Sequence, residues 1–239
     1  MSRLQTIKKQ LSAPEYLKIL ILRTAGNFLV FSSLFMIGKT FYQPVKEEVR
    51  YYIDRRFNKK YVVATADTPI KLPEPPKGGL AKALNIKPVE VLRPVNPDFD
   101  IIIPKIGANA KIIAAVDVND EDTYLEVLRN GVAQAMGTAF PGQGKHIYLF
   151  AHSTDYIWNV GTYNAIFYLL YKLENKDEID LFYKGHRYVY KVIGKQIVDP
   201  SRVEYLTRQT NKEFLTLQTC WPPGTTLQRL LVFATRVAE

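Results

Sequence analysis

The only cysteine among the 239 residues stands where an alternating run breaks into a turn: Cys220 in "TLQTCWPPGTTLQRLLV", Thr216 to Val232. A thiol there can attack a carbonyl carbon. Nine residues later Arg229 offers a guanidinium, a group suited to hold a carbonyl oxygen and the charge that develops on it during acyl transfer. In "FLTLQTC", Leu215, Leu217 and Thr219 share one face of the strand, and Thr216, Gln218 and Cys220 share the other. Alternation therefore puts the thiol on the polar side rather than in the core, where a lone cysteine usually acts as a small hydrophobe. The loop from Trp221 to Gln228 is stiffened by Pro222 and Pro223 and released by Gly224. If the strands it joins are antiparallel neighbours, Arg229 lies beside Cys220 and also favours the thiolate. The competing reading is a surface arginine paired with a carboxylate. A thiol nucleophile also needs a proton carrier, and three histidines are available. His186 sits in the turn "KGHR" and His146 precedes the strand "IYLFA". His152 leaves the end of that strand into polar "STD", which ranks it first without excluding the other two.

The elements that must position these groups lie from Phe99 onward. "FDIIIP" and "AKIIAAV" read as strands, and Asn119 is expected to cap a helix through Leu128 that Gly131 ends. "HIYLFAH" is a buried strand, "YNAIFYLLYKLE" has helical length and spacing, and "EIDLFYKGHRYVYKVIGKQIV" is a hairpin turning at Lys184, Gly185 and His186. "EFLTLQTC" and "RLLVFATRV" close the chain as two alternating strands. Strands outnumber helices, so the fold class is mainly β, a barrel or sandwich with two short helices.

Upstream the composition changes. Seven of the 14 prolines fall between Pro69 and Pro97, and residues 1 to 97 carry 17 Lys and Arg against 7 Asp and Glu. From Asp98 on the balance is 15 against 16, so the formal charge of +9 belongs to the N-terminal part. A nucleic-acid-binding domain carries its basic stripe on the folded unit that docks, so no nucleic-acid partner is expected. A single cysteine excludes an intrachain disulfide and a zinc knuckle, and the folded part must stand on its core alone. "ILILRTAGNFLVFSSLFMIG", Ile19 to Gly38, is long enough to span a hydrocarbon core, with Arg23 and Lys39 free to reach the headgroups. No small-x-small cleavage site follows it, which favours an uncleaved anchor over a signal peptide or a core helix. Residues 1 to 23 and 39 to 60 each carry a net +4, so charge does not decide the orientation. The sequence thus divides into a basic N-terminal segment (1–18), a transmembrane anchor (19–38) and a basic juxtamembrane segment (39–63). A proline-rich linker (64–97) and a catalytic domain (98–239) follow. The juxtamembrane segment is expected as a helix on anionic headgroups or in solvent, and the linker as an extended spacer.

"TLQTC", the step to Arg229 in "QRLLV" and an upstream "AHST" resemble the sortase family, the membrane-anchored cysteine transpeptidases of bacterial cell surfaces. The resemblance runs from Phe99 to Val237 and includes "IPKIGANA", "NGVAQAMGTAFPGQGKHIYLFAHS" and "DEIDLFYKGHRYVYKV". It implies an eight-stranded β-barrel in which Cys220 is the nucleophile, His152 the general acid and base, and Arg229 the group that steadies substrate and oxyanion. Thr219 would line the substrate groove. Ala151 departs from the glycine the family commonly has before the histidine, which bears on the turn more than on the chemistry. The resemblance also implies cleavage of a Leu-Pro-x-Thr-Gly-like sorting signal through a thioacyl enzyme. The partners would be secreted proteins bearing that signal and an amine acceptor, a cell-wall cross-bridge or a pilin lysine. The barrel would lie outside the cytoplasm, on a single-pass anchor in the cell membrane. The absence of an apolar segment after Glu239 speaks weakly against the pilus-building members. No cofactor is implied. Some relatives bind calcium near the segment before the cysteine strand, but Glu204 and Glu213 do not make a metal site and are expected at the surface. Two other functions compete: a cysteine peptidase that hydrolyses its thioester, and a non-catalytic anchored binding module.

Overall fold

In the computed structural model, residues 13–64, 79, 89–153 and 166–237 are described. The chain divides into two compact units between Val45 and Lys46. The helix α1 (Ala13–Arg56) runs through this division, and Pro44, which has no backbone N–H to donate, stands beside it. In the first unit, Pro14–Lys39 is a helical stretch with a mean hydropathy of 1.7, long and apolar enough to cross a membrane. Its leucines, phenylalanines and isoleucines are exposed all round. Ser33 turns its hydroxyl onto the carbonyls of Leu29 and Val30, so this polar group is satisfied within the helix.

The second unit is built on eight strands: β3 (Phe99–Ile103), β4 (Ala108–Val116), β5 (Val132–Ala135), β6 (His146–Phe150), β7 (Glu178–Tyr183), β8 (His186–Val198), β9 (Phe214–Trp221) and β10 (Gln228–Arg236). They close into a barrel in the order β10-β8-β7-β3-β4-β5-β6-β9, so the expected eight-stranded, mainly β fold is present. Two neighbouring pairs are parallel. β4 joins β5 through the crossover helix α2 (Glu121–Asn130), and β6 lies beside β9 although two other strands intervene in sequence. Gly131 ends α2 where the backbones come close: a Cβ there would stand 2.5 Å from the Lys111 carbonyl.

Each strand sends alternate residues inward. Ile101, Ile103, Ile147, Leu149, Leu215 and Leu217 are among those that fill the barrel interior. The opposite faces of β5, β6 and β10 are covered from outside: Ala133, Tyr148, Phe150 and Leu231 cluster with Leu128 of α2 and with Tyr205. Outside β3 and β7 lies a two-stranded parallel sheet, β1 (Lys60–Val63) with β2 (Val89–Leu92), whose Val63 and Leu92 cover Ile102 and Phe182.

Several details differ from the sequence reading. The cap of α2 is Asp120, whose carboxylate accepts from the Thr123 amide at 3.2 Å and its hydroxyl at 2.6 Å, while Asn119 bonds back to Asp117. In "YNAIFYLLYKLE", residues 163–165 lie outside the described residues, and the rest is a turn leading into a short 3-10 helix, Leu170–Lys172. Most of the proline-rich stretch, residues 65–78 and 80–88, also lies outside them. The end of α1 from Lys46 packs within the barrel unit, and Tyr51 is 7 % exposed in the interior cluster. That side chain is neither in solvent nor on headgroups.

Candidate active site

The site is assembled by register. β9 and β10 are antiparallel neighbours with Arg229 directly opposite Cys220, and the turn between them closes over Trp221 and Gln228. On the other side of β9, the parallel strand β6 pairs Phe150 with Gln218. The pairing continues past the end of β6: the Ala151 amide donates to the Gln218 carbonyl at 3.1 Å, and Thr219 Oγ1 donates to the Ala151 carbonyl at 2.9 Å. His152 follows two residues after Phe150, and Cys220 two residues after Gln218. Arg229 and Cys220 thus stand opposite each other on adjacent strands, about 4.8 Å apart in backbone, and His152 follows the paired end of β6 on the other side of β9. Alternation turns Arg229 and Cys220 to the outer face, the side of Leu231 and Gln218, and away from Leu230 and Leu217 inside the barrel.

The other two histidines are elsewhere. His146 starts β6, six residues before His152 and so roughly 20 Å away along the strand. It is 5 % exposed with Nε2 2.9 Å from Thr216 Oγ1, and burial, helped by Arg208, pushes its pKa down to about 4. His186 is exposed at the first position of β8, whose far end, Val198, is the residue paired with Arg229. Of the three histidines, His152 is the one that follows the end of β6 beside the strand of Cys220.

Cys220 is half-buried. Burial pushes its thiol above the ordinary value, and Arg229 pulls it back down. The Arg229 guanidinium donates through Nη1 to the carbonyls of Thr226, at 3.1 Å, and Gln228, at 3.3 Å. Among the described residues no ion pair of Arg229 is found. Thr219, expected to line the groove, is 3 % exposed on the interior-facing side, with its hydroxyl engaged by Ala151. It ties the end of β6 to β9. Glu213, expected at the surface, is 8 % exposed and accepts from Tyr190 Oη and the amides of Gly142 and Gly144, while Glu204 pairs with Arg202 outside.

The sequence reading passed over Tyr148 and Gln218. The Tyr148 hydroxyl donates to Gln218 Oε1 at 2.5 Å on the outer face that carries Cys220 and Arg229. Burial holds the phenol well above its ordinary value against the pull of Arg229, so it stays a neutral donor. The signal was present: Tyr148 lies four residues, hence an even step, before His152.

A protein-family model described as the sortase domain matches residues 101–237. Among characterised proteins, Sortase D of Bacillus subtilis (strain 168) is 27% identical over 138 residues, 56% of this chain and 61% of that protein. Among solved structures, sortase C1 of GBS Pilus Island 1 is similar with a TM-score of 0.50 and 27% identity, over 59% of this chain and 64% of that one. Sortase C1 from Streptococcus agalactiae gives 0.49 and 26%, over 59% and 67%. The chain thus spans less than two thirds of the length of the first two relatives.

Proposed function

The chain belongs to the sortase family, since the matched domain covers more than half of it, and from that premise we propose that it is a membrane-anchored cysteine transpeptidase acting on a Leu-Pro-x-Thr-Gly-like sorting signal. The observation that carries the reading is the register that sets Arg229 opposite Cys220 and the end of β6 alongside β9.

In the proposed mechanism Cys220 Sγ attacks the carbonyl carbon of the scissile peptide bond. His152 takes the thiol proton and delivers it to the leaving amine as the carbon–nitrogen bond breaks, which leaves a thioester. Arg229 donates to the carbonyl oxygen, where negative charge gathers in both tetrahedral intermediates. An acceptor amine then attacks the thioester, its proton passes to His152, and the thiol of Cys220 is restored as the new amide forms. Thr219 holds the backbone before His152 against the strand of Cys220 and is a positioning residue in this scheme. The apolar helix within Pro14–Lys39 would anchor the enzyme in the cell membrane, with the barrel on the outer side, where secreted substrates and cell-envelope amines meet.

The test uses the full chain in detergent, a library of Leu-Pro-x-Thr-Gly-like peptides and an excess of oligoglycine or a diaminopimelate-type amine, with mass spectrometry of both products. Ligated peptide that disappears in Cys220→Ala is the expected result. Cleavage without ligation at any amine concentration means a hydrolase, and activity that survives Cys220→Ala removes the thiol from the chemistry.

A further inference from the structure

The inner side of the strand that carries Cys220 is held by residues distant in sequence. Trp221, next to the cysteine, points the other way and packs partly buried against the interior cluster. Its ring meets that of Tyr171 at 5.5 Å between centroids, tilted by 55°. Tyr171 is fixed from two directions. Its carbonyl accepts from Lys195 Nζ at 2.5 Å, and its hydroxyl donates to Glu48 Oε1 near the end of α1. Glu48 is steadied in turn by Lys172 at 3.2 Å, whose ammonium lies 5.3 Å from the Tyr51 ring and 4.7 Å from that of Tyr171.

The same stretch of α1 is docked at a second point. Arg50 donates to the Ile106 carbonyl at 2.9 Å and to Tyr61 Oη at 3.2 Å, while Glu47 grips it at 2.6 Å. The chain makes room for it with Gly107, at φ +62, where a Cβ would come within 2.7 Å of Arg50 Nη1. A helix end fixed by Tyr51 in the core, Arg50 on one flank and Glu48 on the other is a rigid support for Tyr171. Tyr171 in turn backs the residue beside the thiol.

We propose that Glu48 and Tyr171 are positioning residues for Cys220: the end of α1 holds Tyr171, Tyr171 holds Trp221, and Trp221 sets the backbone from which the thiol projects. The inference rests on the reading of Cys220 as the nucleophile. Acyl transfer depends on how accurately sulfur meets the carbonyl carbon, and a small displacement of a reacting group slows it steeply. A loosened strand end has the opposite effect on a small reagent, because a less buried thiol is easier to reach and to ionise.

The experiment uses the full chain in detergent as wild type, Tyr171→Phe, Glu48→Ala and the double variant. Two rates are compared: alkylation of the chain's single cysteine by iodoacetamide, and peptide turnover. Each single variant is expected to alkylate about threefold faster and to turn peptide over about tenfold more slowly in kcat, with KM unchanged. The double variant is expected to be no worse than either single, because both remove the same tie. Tyr171→Phe keeps the ring on Trp221 and carries the test if Glu48→Ala fails to fold. Wild-type alkylation and turnover in both singles overturn the proposal, as do effects that multiply in the double. If the wild type turns over no peptide, the transpeptidase reading fails while alkylation alone still decides the tie.

Discussion

Burial and Arg229 act on the Cys220 thiol in opposite directions, and burial wins, so the resting side chain at neutral pH is the neutral thiol with a small fraction ionised. The reaction therefore needs a base at the moment of attack, the task assigned to His152. It also follows that alkylation of the free enzyme keeps rising with pH through and beyond the ordinary thiol range. Arg229→Gln removes the cation that lowers the pKa, so the inflection moves further up. The alkylation rate at pH 8 falls with it. An inflection that stays put or moves down would show that the guanidinium does not act on the sulfur. Peptide turnover should fall more than alkylation, by on the order of a hundredfold, because the oxyanion donor proposed for Arg229 is lost as well. At this scale the sequence was informative where neighbours in space are neighbours in the chain. The hairpin that pairs Cys220 with Arg229, and the alternation that turns Thr219 inward, follow from local pattern. The choice among the histidines did not, because β6 reaches β9 across a parallel pairing 68 residues apart. Glu213 was misjudged for the same reason, since Tyr190 and the Gly142 and Gly144 amides that enclose it lie in other elements.

The strands themselves were legible, since each alternates or is apolar throughout, but the outer faces of β3 and β7 hold a feature that periodicity does not reveal. Asp100 and Asp180 are fully buried there, beneath and beside the small sheet β1–β2. Burial pushes Asp100 up to about 7, against the amides of Asn96 and Val95, and Asp180 up to about 6, against Arg187. A carboxyl with a raised folded pKa binds its proton more tightly in the native state. Its contribution to stability is complete below the unfolded value of 3.8 and is lost as pH rises through the folded one, a window from about 4 to 7 for Asp100. His146 works the other way, since its depressed pKa costs stability as pH falls from 6.5 towards 4. The informative quantity is therefore the difference between variants. Asp100→Asn is expected to gain on the wild type across that window, by up to about 4 kcal/mol above pH 7. Urea denaturation at pH 4.5 and pH 8 measures it, and an equal effect at both values would mean that Asp100 ionises normally. The small sheet was itself missed because "KYVV" sits in a charged segment and its partner, Val89–Leu92, lies within the proline-rich stretch.

At the scale of the whole molecule, the uneven charge and the apolar run of the N-terminal part were visible in composition, but where the barrel unit begins was not. The segment from Lys46 looks like a solvated basic stretch. Its charges are in part paired, Arg50 with Glu47 at 2.6 Å, Lys59 with Asp54 at 3.5 Å and, across the small sheet, with Glu90 at 2.7 Å. Two of its apolar residues, Tyr51 and Val63, are nevertheless buried among barrel residues. A fragment that starts at Ala64 therefore loses more than an appendage. It uncovers Ile102 and Phe182, empties the place of Tyr51, and leaves the Ile106 carbonyl and Tyr171 without Arg50 and Glu48. Removing one large buried aromatic side chain costs about 3–5 kcal/mol. In a unit of this size that lowers the thermal midpoint by roughly 10 °C. We expect a fragment beginning at Lys46 to unfold in one cooperative transition, and the one beginning at Ala64 to melt at least that much lower, with slower peptide turnover where the thiol is the nucleophile. Differential scanning calorimetry of the two fragments side by side decides it. Equal midpoints would mean that the end of α1 rests on the barrel without stabilising it, and the support it lends to Tyr171 and Trp221 would then be too weak to hold the thiol in place.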